Sequence, residues 1–132
     1  MTERNIIIMD KIVDELAAGK TISKALEVVY EKRNVAVPYS EKIFEESILA
    51  LPLSVRSHNA FLNSKLNTIN DVIQYGKNHA FVGIRNFGRT SAVQVLELIL
   101  DFAWNRMNKK ERIEFLIDTV TRNQFNVRKG LM

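Results

Sequence analysis

Apolar positions recur at helical spacing along almost the whole of this 132-residue chain. Ile8, Ile12, Val13 and Leu16 predict a first amphipathic helix, and Gly19 supplies its stop. Thr21 is placed to cap a second helix, with Ile22, Ala25, Leu26, Val29 and Tyr30 on one apolar face. The segment Asn34 to Pro38 breaks that helix, because a residue preceding proline is pushed out of helical geometry. Ser40 then predicts the cap of a third helix. Tyr39 before it and Phe44 at the fourth helical position make a hydrophobic staple, and Ile43, Ile48 and Leu49 continue its buried side.

Leu51-Pro52-Leu53 is a connector. Ser54 caps a helix that carries Arg56 and Asn59, with Val55, Phe61 and Leu62 expected to face the core. Thr68 and Asp71 form a capping-box pattern, with aspartate for the usual glutamate, ahead of Ile69, Val72 and Ile73. A short helical turn around Ala80 to Ile84 leads into Asn86-Phe87-Gly88-Arg89-Thr90-Ser91. The next helix is long, with Ala92, Val95, Leu96, Ile99, Leu100, Ala103 and Trp104 as its stripe. Asn108 with Glu111 opens a last helix through Ile113, Leu116, Ile117 and Val120. The periodicity fades after Asn123, so the tail from Gln124 is expected to fray. No repeat or low-complexity segment is present, and Val35 to Val37 is too short to found a sheet. The predicted class is all-α: one compact helical core, braced on both sides by helices.

Composition narrows the chemistry. At 46% hydrophobic and 26% charged residues, the protein is of ordinary globular type. It has no cysteine, which excludes disulfides, thiolate zinc sites and cysteine nucleophiles. The apolar run at Ile6-Ile7-Ile8 is too short for a signal peptide, and no stretch approaches the ~20 apolar residues that span a bilayer. A soluble, cytoplasmic protein without membrane attachment is expected. Net charge is +4, unevenly spread. Residues 1–50 carry seven basic and nine acidic side chains, residues 51–100 five and two, and residues 101–132 seven and four. The positive balance, which favours polyanions, thus falls on the middle and the tail.

Two segments in the middle carry candidate chemistry. The first, Leu53-Ser54-Val55-Arg56-Ser57-His58-Asn59, puts an arginine early in a helix. The second, Asn86 to Ser91, is a glycine turn that opens another. A helix opening offers unpaired N–H groups and partial positive charge, which suit a phosphate. Gly88 can take a positive φ at little cost and has no side chain to block a phosphate. Arg89 adds charge, and Thr90 and Ser91 add hydroxyls. Taken alone, the glycine also fits a plain turn between helices, and Arg56 a surface ion pair.

Together these residues resemble the C-terminal domain of the bacterial RNA polymerase alpha subunit. That family's first helix opens leucine-serine-valine-arginine-serine, with an asparagine three residues after the arginine. Its hairpin reads asparagine, an apolar residue, glycine, a basic residue, then usually lysine-serine. The resemblance spans roughly Leu49 to Asp101. It implies a helix-hairpin-helix-like fold that binds the DNA minor groove upstream of promoters and contacts activators and sigma factor. By resemblance, Arg56 enters the groove, while Asn59, Gly88 and Ser91 lie along the backbone; Asn86, Arg89 and Thr90 of the glycine segment complete the candidate DNA-binding set. The sequence departs from the family at Thr90, where a second lysine is usual, at Gln94, where glutamate is common, and at Ala60, where cysteine is common. The expected organisation is residues 1–48 as a helical extension, 49–107 as the DNA-binding domain, and 108–132 as a C-terminal helix and tail.

No catalytic constellation, phosphate loop or metal-ligand spacing accompanies these segments. His58 and His79 stand 21 residues apart with no close carboxylate pattern, as structural or surface histidines do. The first two helices faintly resemble a helix-turn-helix, but Glu27 and Glu31 on the second would be repelled by phosphate. The expected function is non-catalytic, transcription-related binding of double-stranded DNA at an A·T-rich minor groove, with no cofactor and no metal. Few phosphates are within reach, so a homodimer or a polymerase partner is needed for useful occupancy. The alternative expectation is a protein-interaction module, of phage or mobile-element type among others. It would contact RNA polymerase, sigma factor or an activator without binding DNA.

Overall fold

Thr2 starts the first helix: its hydroxyl accepts from the Asn5 N–H at 3.1 Å, a bond that satisfies one of the orphan amides of a helix start. In the computed structural model, which describes residues 1–39, 41–79 and 87–125 (78 and 79 by backbone alone), α1 runs Glu3–Ala17. Gly19, at φ 96°, turns the backbone after it in a conformation that glycine adopts without a Cβ clash. Thr21 caps α2 (Ile22–Tyr30), and Glu31 at φ 56° ends it several residues before Pro38. The helices that follow are α3 (Val55–Asn63), α4 (Ile69–His79), α5 (Arg89–Asn105) and α6 (Lys109–Arg122). Among the described residues no strand is present, and the class is all-α.

The contacts divide the protein into two units, Met1–Tyr39 with Trp104–Met132, and Ser40–Ala103. In the first, α1 packs on both α2 and α6. Ile8, Ile12, Ile22, Ala25, Leu26, Tyr30, Phe115, Leu116 and Val120 are buried there. Each isoleucine, leucine, valine or phenylalanine among them stabilises the fold by ~1.5–3 kcal/mol. Asn108 and Glu111 close a reciprocal capping box at the start of α6. Arg112 lies 4.7 Å from the Trp104 ring centroid and donates to the Trp104 carbonyl, while Phe115 meets the same ring edge-on at 5.6 Å. Asn123, fully buried, donates to the carbonyls of Ala36 and Thr119.

The second unit is built on Ile43, Ile48, Phe61, Ile69, Val72, Ile73, Val95 and Ile99, all buried. Its entry corrects the expected third helix. Two short 3-10 turns, Glu41–Ile43 and Ile48–Ala50, stand in its place. The backbone there bonds to a distant segment instead of along itself. The Ile48 N–H donates to Asn67, Ile69 to Glu46 and Asn70 to Phe44, around an antiparallel bridge between Ser47 and Thr68. Ile43 and Ile48 still reach the core, but Leu49 is 66% exposed. Ser40, the expected cap, the turn at 80–84 and the tail from residue 126 lie outside the described residues. Asp71 accepts from the N–H groups of Asn67 and Thr68, and Thr68 accepts in return from Asp71, so the expected box at α4 is present.

Expectations also change at five single positions. Val13 of α1 is 45% exposed, and so are Ile113 (43%) and Ile117 (38%) of α6. On α3, Val55 is 76% and Leu62 44% exposed. The core face of α3 is Ser57, Ala60 and Phe61, spaced three and four apart, which turns Val55 and Leu62 outward.

Candidate nucleic-acid interface

Arg56 is the second residue of α3, and Ser54 is what fixes that helix start. The Ser54 hydroxyl accepts from the Ser57 N–H at 3.1 Å, and its carbonyl accepts from His58. Ser57 and Phe61 are drawn into the core, which rotates Arg56 and Asn59, one turn apart, to the exposed side. His58 between them is half-buried, and its Nε2 has no hydrogen-bond partner among the described residues.

The second element is the start of α5. The Gly88 carbonyl accepts from the Ala92 N–H at 3.0 Å, so Gly88 holds the cap position and Arg89, Thr90 and Ser91 form the first turn. In a helix the amides of that turn have no partner inside the helix. Gly88, Arg89 and Thr90 are exposed and Ser91 half-buried. Neither α3 nor α5 carries an acidic residue in its first turn, so nothing there opposes an incoming anion. Asn86, expected to share this surface, lies outside the described residues.

The expected use of Gly88 needs correcting. Its φ is not in the left-handed region, where among the described glycines only Gly19 stands. A Cβ added at Gly88 would meet nothing within 4 Å. Neither backbone conformation nor packing requires a glycine here; what it provides is an uncovered helix opening.

A contact that the sequence did not announce ties the two elements together. Phe87, immediately before Gly88, packs against Phe61 of α3 with centroids 5.1 Å apart. Phe61 is fully buried and lies two residues beyond Asn59. The Arg56–Asn59 face and the Gly88 opening are thus anchored by neighbouring side chains in one unit. The missed signal was the spacing of Ser57, Ala60 and Phe61, which would have set the inward face of α3.

Residues 37–100 match the family of the C-terminal domain of the bacterial RNA polymerase alpha subunit. The middle of the protein is an RNA polymerase alpha C-terminal-domain-like segment. The match begins at residue 37, well before Leu49. A DNA-directed RNA polymerase subunit alpha from Gracilaria tenuistipitata var. liui is 33% identical over 76 residues, which cover 58% of the present sequence and 24% of that protein. The matched region therefore corresponds to about a quarter of the length of that relative. No solved structure matches. The family that residues 37–100 match is transcription-related, of DNA-binding type and non-catalytic. Among the described residues no helix is long and apolar enough to cross a membrane, and no cluster of His, Cys, Asp and Glu is placed to hold a metal ion.

Proposed function

We propose that the segment within residues 49–107 binds double-stranded DNA at an A·T-rich minor groove. The observation that carries this reading is the pair of acid-free helix openings in one unit, one presenting Arg56 and the other an uncovered Gly88. An arginine enters a narrow, electronegative groove favourably, and unpaired amides at a helix start bind phosphate. Arg56 reads the groove, and Asn59 supports it one turn along. Arg89, Thr90 and Ser91 hold the flanking phosphate with one charge, two hydroxyls and the first-turn amides, and Asn86 is assigned to the same DNA surface by the sequence motif alone. With about three to four phosphates neutralised, the log–log salt slope is near −3, and a monomer binds weakly. A homodimer or a polymerase partner raises occupancy. Competition with a minor-groove ligand of the distamycin type tests the docking. Displacement from an A-tract duplex is expected, and indifference to the competitor would refute groove entry.

A second reading rests on α3 itself. Val55, 76% exposed, adjoins Arg56, and Leu62 follows two turns later on the same side. With threonine at position 90 in place of a lysine, this apolar strip favours contact with polymerase, sigma factor or an activator without DNA. It predicts complex formation that survives Arg56→Ala.

A further inference from the structure

Two outward stripes on the first unit are left over from its core. On α1, Ile6 (47% exposed) and Val13 (45%) stand two turns apart on one face, bordered by exposed Glu3, Asp10 and Asp14. On α6, Ile113 (43%) and Ile117 (38%) stand one turn apart, with exposed Lys109 and Lys110 one turn before Ile113 and Glu114 beside them. The core of the unit uses other positions of the same helices: Ile8 and Ile12 of α1, Phe115, Leu116 and Val120 of α6. None of Glu3, Asp10, Asp14, Lys109 and Lys110 forms an ion pair among the described residues.

We propose that these stripes bind each other between two copies of the protein, the outer face of α1 lying on the outer face of the partner's α6. Charge selects this occupant. The α1 stripe is bordered by three carboxylates, and the α6 stripe has two lysines against one glutamate. Complementary charge around an apolar centre sets register and rejects like-on-like pairing. The lysines also occupy the first turn of α6, where the helix's own partial charge is positive. A partner's carboxylates relieve that repulsion. In the proposed dimer a two-fold axis relates the copies and makes the contact reciprocal, each α1 meeting the other's α6. The proposal does not rest on the DNA-binding reading.

Sedimentation equilibrium of the full-length protein without DNA tests it, with two double variants, Asp10→Lys/Asp14→Lys and Lys109→Glu/Lys110→Glu. All four positions are exposed, and circular dichroism checks that both variants keep their helices. The wild type is expected to dimerise. Each double variant should raise the dimer Kd about tenfold or more through like-charge opposition, and an equimolar mixture of the two should recover wild-type association. A wild type that stays monomeric at its highest soluble concentration would overturn the proposal. So would a double variant that associates as the wild type does, or a mixture that fails to recover.

Discussion

Phe61 and Phe87 face each other at 5.1 Å and 53°, joining the core of α3 to the residue that precedes Gly88. The residue that leads into the α5 opening is therefore held on α3 by an aromatic pair, a contact that adds ~0.5–1.5 kcal/mol beyond its buried area. A surface made of two helix openings works only if their spacing is fixed.

That contact gives a first prediction. Phe87→Ala should leave the helical content intact while lowering DNA affinity several-fold, because the α5 opening loses its anchor on α3. Phe61→Ala should instead destabilise the whole unit by ~3–5 kcal/mol, since Phe61 is fully buried. Thermal melts alongside binding isotherms separate the two effects.

Gly88→Ala distinguishes a turn glycine from a site glycine. The added methyl meets nothing within 4 Å and no left-handed backbone opposes it. Stability should change little, because the ~0.4–1 kcal/mol gained as the unfolded state loses freedom is offset by alanine's weaker capping at the start of α5. DNA affinity should nevertheless fall, because the methyl occupies the approach of the phosphate. Equal loss of stability and binding would show that the glycine serves the fold alone.

Thr90→Lys adds a phosphate-neutralising charge at the exposed second residue of α5. It should tighten DNA binding and steepen the log–log salt slope by about one unit, with little change in melting temperature. Salt titrations of the two proteins on one duplex read both quantities.

Acid and alkali should each weaken the fold through one named group. Hydrogen bonds from the Thr68 and Asn67 amides hold the Asp71 carboxyl below the usual carboxylate range. Its contribution is present above the unfolded value of about 4 and is lost as pH falls through the lower folded value. Asp71→Asn should flatten that acid limb, and Asp71→Ala should lower stability at neutral pH by removing the acceptor of the Asn67 and Thr68 amides. Burial pushes the Tyr30 phenol up to about 12, and its hydroxyl has no hydrogen-bond partner among the described residues. The neutral phenol's advantage is present below about 10 and is lost as pH rises through the folded value, so Tyr30→Phe should soften the alkaline limb. Denaturant melts across pH read both limbs.

Much of this was legible in the sequence, for reasons that are local. Thr21, Ser54, Thr68 and Asn108 mark helix starts because a cap bonds an amide two or three residues away. The stripes of α2 and α5 were readable because their apolar residues keep to one face. Pairings between distant segments leave no such mark. Glu46 to Ile48 gives up a helix to bond with residues 67–69, and nothing in its own pattern declares that. Ile113 and Val55 look like core residues by type, and only the faces chosen by Phe115 and Phe61 turn them outward. At the candidate interface, the Arg56 and Gly88 segments were visible as motifs, whereas the Phe61–Phe87 contact that joins them was not.

Arg56 carries the central claim, and fluorescence anisotropy of the wild type and Arg56→Ala on an A-tract and a G·C-rich duplex tests it most directly. With salt titrated, the wild type should prefer the A-tract with a slope near −3. The variant should lose both the preference and most of the affinity. Curves that coincide for the two proteins, or for the two duplexes, would contradict minor-groove reading through Arg56.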